Sequence, residues 1–112
     1  MKNKIVLVPF PFDDLSSTKV RPAVCLTDEI LPHQHVVVAF ITSAVSTSPT
    51  KTDLVIDKQD PDFVQTGLKV SSTIRLHRLM TVSKSIILRQ LGALSSAQQT
   101  AVQRRLRALF GI

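Results

Sequence analysis

The sequence is poor in the residues that build disulfides, metal sites and aromatic platforms. Cys25 is its one cysteine, which excludes an internal disulfide and a cysteine-built zinc site. There is no tryptophan or tyrosine, and five phenylalanines argue against an aromatic surface on which single-stranded bases would stack. The longest wholly apolar run, VVVAFI at residues 36–41, is too short to cross a bilayer.

The amino terminus imitates a signal peptide only loosely. MKNKIVLVPFPFDD has basic residues and then an apolar stretch, but Pro9 and Pro11 interrupt that stretch. Asp13 and Asp14 stand where a small-residue cleavage site belongs. We therefore predict that this segment is the first strand of a cytoplasmic protein. With 112 residues and 44% hydrophobic content, the chain is expected to form one folded domain over residues 1–112.

Acidic residues are absent from the second half of the chain. All eight lie between Asp13 and Asp62, whereas residues 63–112 carry eight lysines and arginines. The net charge is +6. Such asymmetry suggests a polyanionic partner, either nucleic acid or an acidic protein segment. A solvated basic face without a specific partner explains the charge equally well, and composition does not decide between the two.

The hydropathy pattern predicts short strands followed by one helix. Alternating apolar positions, bounded by polar turns, predict strands at residues 4–10, 20–27, 35–42, 52–57, 70–82 and 89–94. Residues 35–42 are apolar on both parities, which favours a central strand. The segments at residues 11–19 and 58–67 read as loops. The expected fold is mainly β: a small barrel of mostly antiparallel strands packed with one long carboxy-terminal helix.

The carboxy terminus has the signals of an amphipathic helix. Ser95 is a candidate N-cap, Gln98 completes a capping box, and Gly111 follows the last turn. An apolar stripe is expected at Val102, Leu106, Leu109 and Phe110. Arg104, Arg105 and Arg107 lie off that stripe near the helix end, where cations suit the helix dipole. We therefore assign them structural roles and no substrate contact.

Cations and hydroxyls at strand ends are the remaining candidates for chemistry. Arg21 opens the second strand and is held extended by Pro22, while Thr42 and Ser43 close the central strand. In the long fifth strand, Arg75 and His77 lie two residues apart, so their side chains should project from the same face of the strand. Leu79 and Thr81 are expected to continue that face. The opposite face is expected to hold Ile74, Leu76, Met80 and Val82.

Guanidinium, hydroxyl and imidazole suffice for RNA cleavage without a metal or a cofactor. The substrate 2′-OH is the nucleophile, a base takes its proton, and cations stabilise the charge that builds on the phosphorus. Arginine suits the last task because its planar fork bonds two phosphate oxygens. Structural roles stay open: Arg21 pairing with Asp13 or Asp14, Thr42 ending a strand, and His77 exposed on an edge.

Several segments together resemble the MazF/PemK (Kid) toxins of bacterial toxin–antitoxin systems. They are IVLVPFPFDDLSSTKVRPAVCL, VVVAFITS and STIRLHRLMTVSKSIILRQLGALS, followed by the helix. The resemblance implies that the fold is a small SH3-like or CcdB-like antiparallel β-barrel packed with one long α-helix. It implies a homodimeric toxin and a metal-independent, sequence-selective endoribonuclease that leaves a 2′,3′-cyclic phosphate on single-stranded RNA. It also implies an antitoxin whose acidic tail covers the RNA groove, contact with DNA only through an antitoxin complex, and no cofactor.

The resemblance also assigns roles by position. Arg21, Thr42 and Arg75 fall on catalytic positions, and His77 stands where the Kid-like branch has aspartate. An imidazole changes charge between about pH 6 and 7, so His77 is a candidate base. RNA-binding positions are expected at Ser43, which closes the central strand, and at Lys19, Ser17 and Thr18. The last three belong to the loop at residues 11–19, which would close over bound RNA.

Two other functions remain open from the sequence. One is a non-enzymatic toxin that inhibits DNA gyrase, like the fold-related CcdB toxins, which would act through exposed residues at the chain end. The other is a basic RNA-binding barrel without activity. Cleavage of single-stranded RNA in EDTA separates the nuclease from both.

Overall fold

A computed structural model describes residues 1–10, 19–45 and 48–112. In these ranges the chain forms six strands, two α-helices and a 3₁₀ turn at Lys84–Ile86. The strands are β1 (Lys4–Phe10), β2 (Lys19–Cys25), β3 (His35–Thr42), β4 (Asp53–Ile56), β5 (Ser72–Ser83) and β6 (Arg89–Ala93). The helices are α1 (Phe63–Thr66) and α2 (Ser96–Phe110). All strand pairs are antiparallel, in the order β4-β5-β3-β2-β1-β6, and the sheet curls into a half-barrel.

The predicted fold class is confirmed, with one element missed. β1 and β3 have the predicted bounds, and the other strands agree to within two residues. Residues 63–66, predicted as loop, form α1. Four residues are too few to show a helical period, although Phe63 and Thr66 are both buried.

The sheet has a hydrophobic cluster on each of its faces. The first cluster packs against α1 and α2 and contains Ile5, Val24, Ala39, Ile41, Ile56, Phe63, Ile74, Leu76, Leu94 and Val102. The second contains Val6, Val8, Ala23, Cys25, Val36, Val38, Phe40 and Val82. Successive residues of β3 alternate between the two clusters because side chains alternate along a strand. This explains why β3 is apolar on both parities.

A bulge in β5 reverses its side-chain pattern. Ala39 pairs with Leu79, but the next residue of β3, Phe40, pairs with Arg75. Residues 76–78 therefore have no partner in β3, and an excursion of odd length moves later side chains to the other face.

The predicted continuous alternation along the fifth strand is therefore wrong. Ile74, Leu76 and also Leu79 pack with the first cluster, whereas Met80 and Val82 pack with the second. Leu79 does not continue the face of Arg75, and Met80 and Val82 do not share the face of Ile74. Periodicity in the sequence does not reveal the three extra residues.

Helix α2 begins and ends as predicted. Ser95 Oγ accepts a hydrogen bond from the Gln98 backbone N–H (3.1 Å), and Gln98 Oε1 accepts one from the Ser95 N–H (2.9 Å). Gly111 ends the helix at φ 69°. The predicted stripe is wrong at its last member, because Phe110 is 59% exposed. Within the described residues, no helix is long and apolar enough to span a membrane.

The buried thiol of Cys25 should be chemically inert. Burial raises the pKa of Cys25 to about 11 from 9.0, so the thiol stays protonated at pH 8. We expect iodoacetamide at pH 8 to alkylate the folded protein about 100-fold more slowly than the urea-unfolded chain. Mass spectrometry of timed samples measures both rates. Equal rates would contradict the burial of this side chain.

Candidate functional site

The strand register brings Arg21, Thr42 and Arg75 to one face at one end of the sheet. Arg21 pairs with Val8, a member of the second cluster, and Arg75 pairs with Phe40 of the same cluster. Thr42 lies two residues after Phe40 and therefore shares its face. We call these three residues the arginine–threonine cluster.

The spacing of the strands sets the span of this cluster. Ala23 pairs with Phe40, so continuing the register places Arg21 opposite Thr42. Arg21 and Arg75 are then two strands and two residues apart, on the order of 12 Å between Cα atoms. Both side chains are half-buried. Arginine side chains are long enough to reach a common phosphodiester from its two sides across this distance.

Thr42 is held at the point where β3 ends. Its Oγ1 accepts a hydrogen bond from the Ala44 backbone N–H (3.2 Å), which fixes the turn that follows. The hydroxyl hydrogen is not used in this bond and can be donated to a ligand. Among the described residues, Thr42 is thus a positioned hydroxyl between the two arginines of the cluster.

Of the predicted RNA-binding residues, the structure describes Ser43 and Lys19, and neither belongs to the arginine–threonine cluster. Ser43 is exposed. Because it follows Thr42 directly, its side chain projects from the opposite face of the sheet. Lys19 is exposed at the start of β2. Ser17 and Thr18 lie outside the described residues, as does the predicted loop at residues 11–18. Their RNA-binding roles stay predictions.

His77 lies in the bulge of β5, two residues after Arg75. Its side chain is exposed, and Nδ1 is 3.1 Å from Thr52 Oγ1. This contact orients the ring and leaves Nε2 for exchange of a proton with a ligand. The bulge, which frees residues 76–78 from pairing with β3, therefore leaves the imidazole exposed two residues beyond Arg75.

Three buried polar atoms at or beside Arg75 have no hydrogen-bond partner among the described residues. These atoms are Arg75 Nε, Asp53 Oδ1 and Thr73 Oγ1. Asp53 is the cross-strand partner of Arg75, and Thr73 is the partner of Thr42. Asp53 was not predicted as a site residue. Nothing in the sequence distinguishes Asp53 from the other seven acidic residues, because only the pairing of β4 with β5 puts it next to Arg75.

A cavity of about 390 Å³ opens beside Arg21 and Ser43, and its lining from the described residues contains no acid. Its apolar wall includes Leu7, Pro22, Ile41 and Leu91, and its cations are Arg21, Lys69 and Arg89. Lys69 and Arg89 were not predicted as site residues. Their membership in the acid-free half was the available signal, but it did not distinguish them from six other cations.

The histidines do not form a metal site within the described parts of the chain. The rings of His33 and His35 are 5.5 Å apart, and both residues are exposed. No group of three His, Cys, Asp or Glu side chains there is arranged to hold a metal ion.

The comparison that decides the family covers nearly the whole chain. Residues 1–110 match the model of the PemK-like, MazF-like toxins of type II toxin–antitoxin systems. The chain belongs to this toxin family. No curated protein sequence matches it.

Solved structures share the fold of this PemK/MazF-family chain. The Mycobacterium tuberculosis toxin MazF-mt6 is 23% identical, with a TM-score of 0.74 over 97% of each chain. An endoribonuclease in complex with its cognate antitoxin, from a mycobacterial species, is 12% identical, with a TM-score of 0.74 over 100% of this chain and 95% of that one. A structure described as an Mtb toxin is 28% identical, with a TM-score of 0.63 over 79% of this chain and 90% of that one.

Proposed function

We propose that this PemK/MazF-family toxin is an endoribonuclease that cleaves single-stranded RNA without a metal ion. The observation that carries the proposal is the convergence of Arg21, Thr42 and Arg75 on one sheet face. The net charge of +6 and the acid-free second half favour a polyanionic substrate. Two structural relatives with the same fold are described as endoribonucleases.

The proposed reaction uses the substrate's own hydroxyl. The 2′-OH attacks the adjacent phosphorus and loses its proton to His77 Nε2, and the bond to the 5′-oxygen breaks. Arg21 and the Thr42 hydroxyl donate hydrogen bonds to the non-bridging oxygens as negative charge develops. Arg75 donates a hydrogen bond to the departing 5′-oxygen, which takes a proton from a solvent water, and His77 then returns its own proton to the solvent. The products are a 2′,3′-cyclic phosphate and a 5′-hydroxyl.

The direct test is cleavage of RNA in the presence of EDTA. Purified protein is incubated with a mixed-sequence single-stranded RNA, and the fragment ends are identified by mass spectrometry. We expect discrete fragments that carry cyclic phosphate. Intact RNA that stays bound to the protein would instead support a binding barrel without activity. Intact RNA together with inhibited gyrase supercoiling would support the non-enzymatic toxin.

The family also leads us to propose the partners of this chain. A type II system pairs the toxin with a protein antitoxin, and one relative was solved with its cognate antitoxin. We propose that an acidic antitoxin tail covers the arginine–threonine cluster, that the toxin forms a homodimer, and that it contacts DNA only through the antitoxin. An acidic tail suits this surface because of its excess of cations.

His77→Gln tests the proposed base. Glutamine keeps the size and polarity of the side chain but cannot take up the proton of the 2′-OH. We expect kcat to fall roughly 10²-fold and the acid limb of the pH–rate profile to disappear. His33→Gln, an exposed histidine outside the cluster, is the control and should keep the wild-type profile. An unchanged acid limb in His77→Gln would exclude His77 as the base.

A further inference from the structure

Asp53 and Arg75 face each other directly across the β4–β5 ladder. They are cross-strand partners, and the Leu76 backbone N–H donates to Thr52 O (2.9 Å) beside them. That bond makes Asp53 and Arg75 a pair without backbone hydrogen bonds between its members. In an antiparallel sheet, such pairs bring side chains closest, with Cβ atoms about 4.5–5.5 Å apart.

The carboxylate of Asp53 is buried and only half satisfied. Asp53 is 5% exposed, and its Oδ2 accepts a hydrogen bond from the Thr50 backbone N–H (3.1 Å). Within the ranges that the structure describes, neither Asp53 Oδ1 nor Arg75 Nε has a partner. Leaving a buried donor and a buried acceptor unpaired is unfavourable, and more so when the groups are charged. Each of these atoms is the chemical complement of the other.

The other nearby arginine does not satisfy this carboxylate. Arg105 Nε donates to the Asp53 backbone oxygen (2.9 Å), and Arg105 Nη1 donates to the Ala101 oxygen (3.1 Å). The first of these bonds ties α2 to β4, and the second lies within α2. Arg75 is therefore the cation that faces Asp53 from the adjacent strand.

We propose that Asp53 is a positioning residue for Arg75, an inference that rests on the proposed ribonuclease function. When a phosphate oxygen engages the Nη1/Nη2 edge of Arg75, a rotation of the side chain lets Nε–H donate to Asp53 Oδ1. The carboxylate then fixes the plane of the guanidinium, and the outer edge keeps two parallel donors for the phosphodiester.

The pairing is tested first without RNA. Inorganic phosphate is added to the ¹⁵N-labelled protein, and the Nε–H resonance of Arg75 is assigned by its loss in Arg75→Lys. We expect hydrogen exchange at Nε to slow at least tenfold with phosphate in the wild type but not in Asp53→Asn. Fast exchange in the wild type, or slow exchange that persists in Asp53→Asn, would overturn the proposal.

The consequence for catalysis is tested by a double-mutant cycle. Asp53→Asn should lower kcat roughly tenfold, the effect of losing one hydrogen bond between charged groups. It should have no further effect in Arg75→Lys, which lacks Nε–H, but should keep its full effect in Arg21→Lys. Asp57→Asn, an exposed carboxylate just beyond β4, is the control and should leave kcat unchanged.

The two measurements separate the two proposals. Equal effects of Asp53→Asn in the Arg75→Lys and Arg21→Lys backgrounds would show a merely structural role and overturn the inference. RNA left intact by the wild type would overturn the ribonuclease function, while the Nε exchange measurement would still decide the pairing. If Asp53→Asn does not fold, the wild type alone still tests the pairing, because exchange that stays fast with phosphate would overturn it.

Discussion

Arg21→Ala is expected to lower the rate of RNA cleavage about 10²–10³-fold, which is the usual effect of removing one donor to a developing oxyanion. Arg21 is half-buried at the start of β2, on the face that holds Thr42 and Arg75. The free energy of unfolding should change little, because the residue belongs to neither hydrophobic cluster. Single-turnover cleavage and a urea melt measure the two effects separately.

The control for Arg21→Ala is Arg104→Ala. Arg104 is exposed on α2, and its loss lowers the net charge by the same amount. If long-range attraction of RNA were the whole contribution of Arg21, the two variants would lose activity equally, and raising the salt would remove both effects. A loss below threefold in Arg21→Ala would take this residue out of the mechanism.

Gly67→Ala is expected to destabilise the fold by roughly 3–4 kcal/mol, combining the strain of a left-handed residue with overpacking. Gly67 has φ +74°, and a Cβ there would lie 2.1 Å from the Leu91 backbone oxygen. On the other side of this contact, a Cβ on Gly92 would lie 2.2 Å from the Gln65 oxygen. The two glycines thus let α1 pack directly on the backbone of β6.

Gly111→Ala separates the two contributions. Gly111 has a similar φ of +69°, but a Cβ there would meet no other described part of the chain within 4 Å. This variant should lose only the strain, about 1 kcal/mol. Urea denaturation of both variants measures the difference. Equal losses would show that the contact between α1 and β6 relaxes without cost.

The sequence predicted the elements better than the contacts between them. Strand bounds and the capping box of Ser95 followed from local periodicity and local hydrogen bonding. The sequence pattern puts Arg21 and Thr42 at strand ends and Arg75 within a strand, and the register places the three on one face. Their catalytic roles remain predictions.

The sequence pattern could not predict the contacts between segments that are far apart along the chain. The position of Asp53 depends on β4 pairing with β5, and Lys69 and Arg89 meet at the cavity only because α1 packs on β6. Both arrangements depend on the pairing or packing of separate segments, and a local sequence pattern contains no information about such contacts.

The three-residue excursion at residues 76–78 also limits how roles pass between relatives. In this chain, strict alternation counted from Arg75 assigns side chains to the correct face of the sheet as far as His77. Beyond residues 76–78, the same count assigns each side chain to the wrong face. In a homologue with one residue fewer at this point, transferring the faces of this chain by the same number of residues from the equivalent of Arg75 would assign every later side chain of the strand to the wrong side of the sheet. An alignment that places a single gap wrongly here would therefore match core residues with solvent-facing ones.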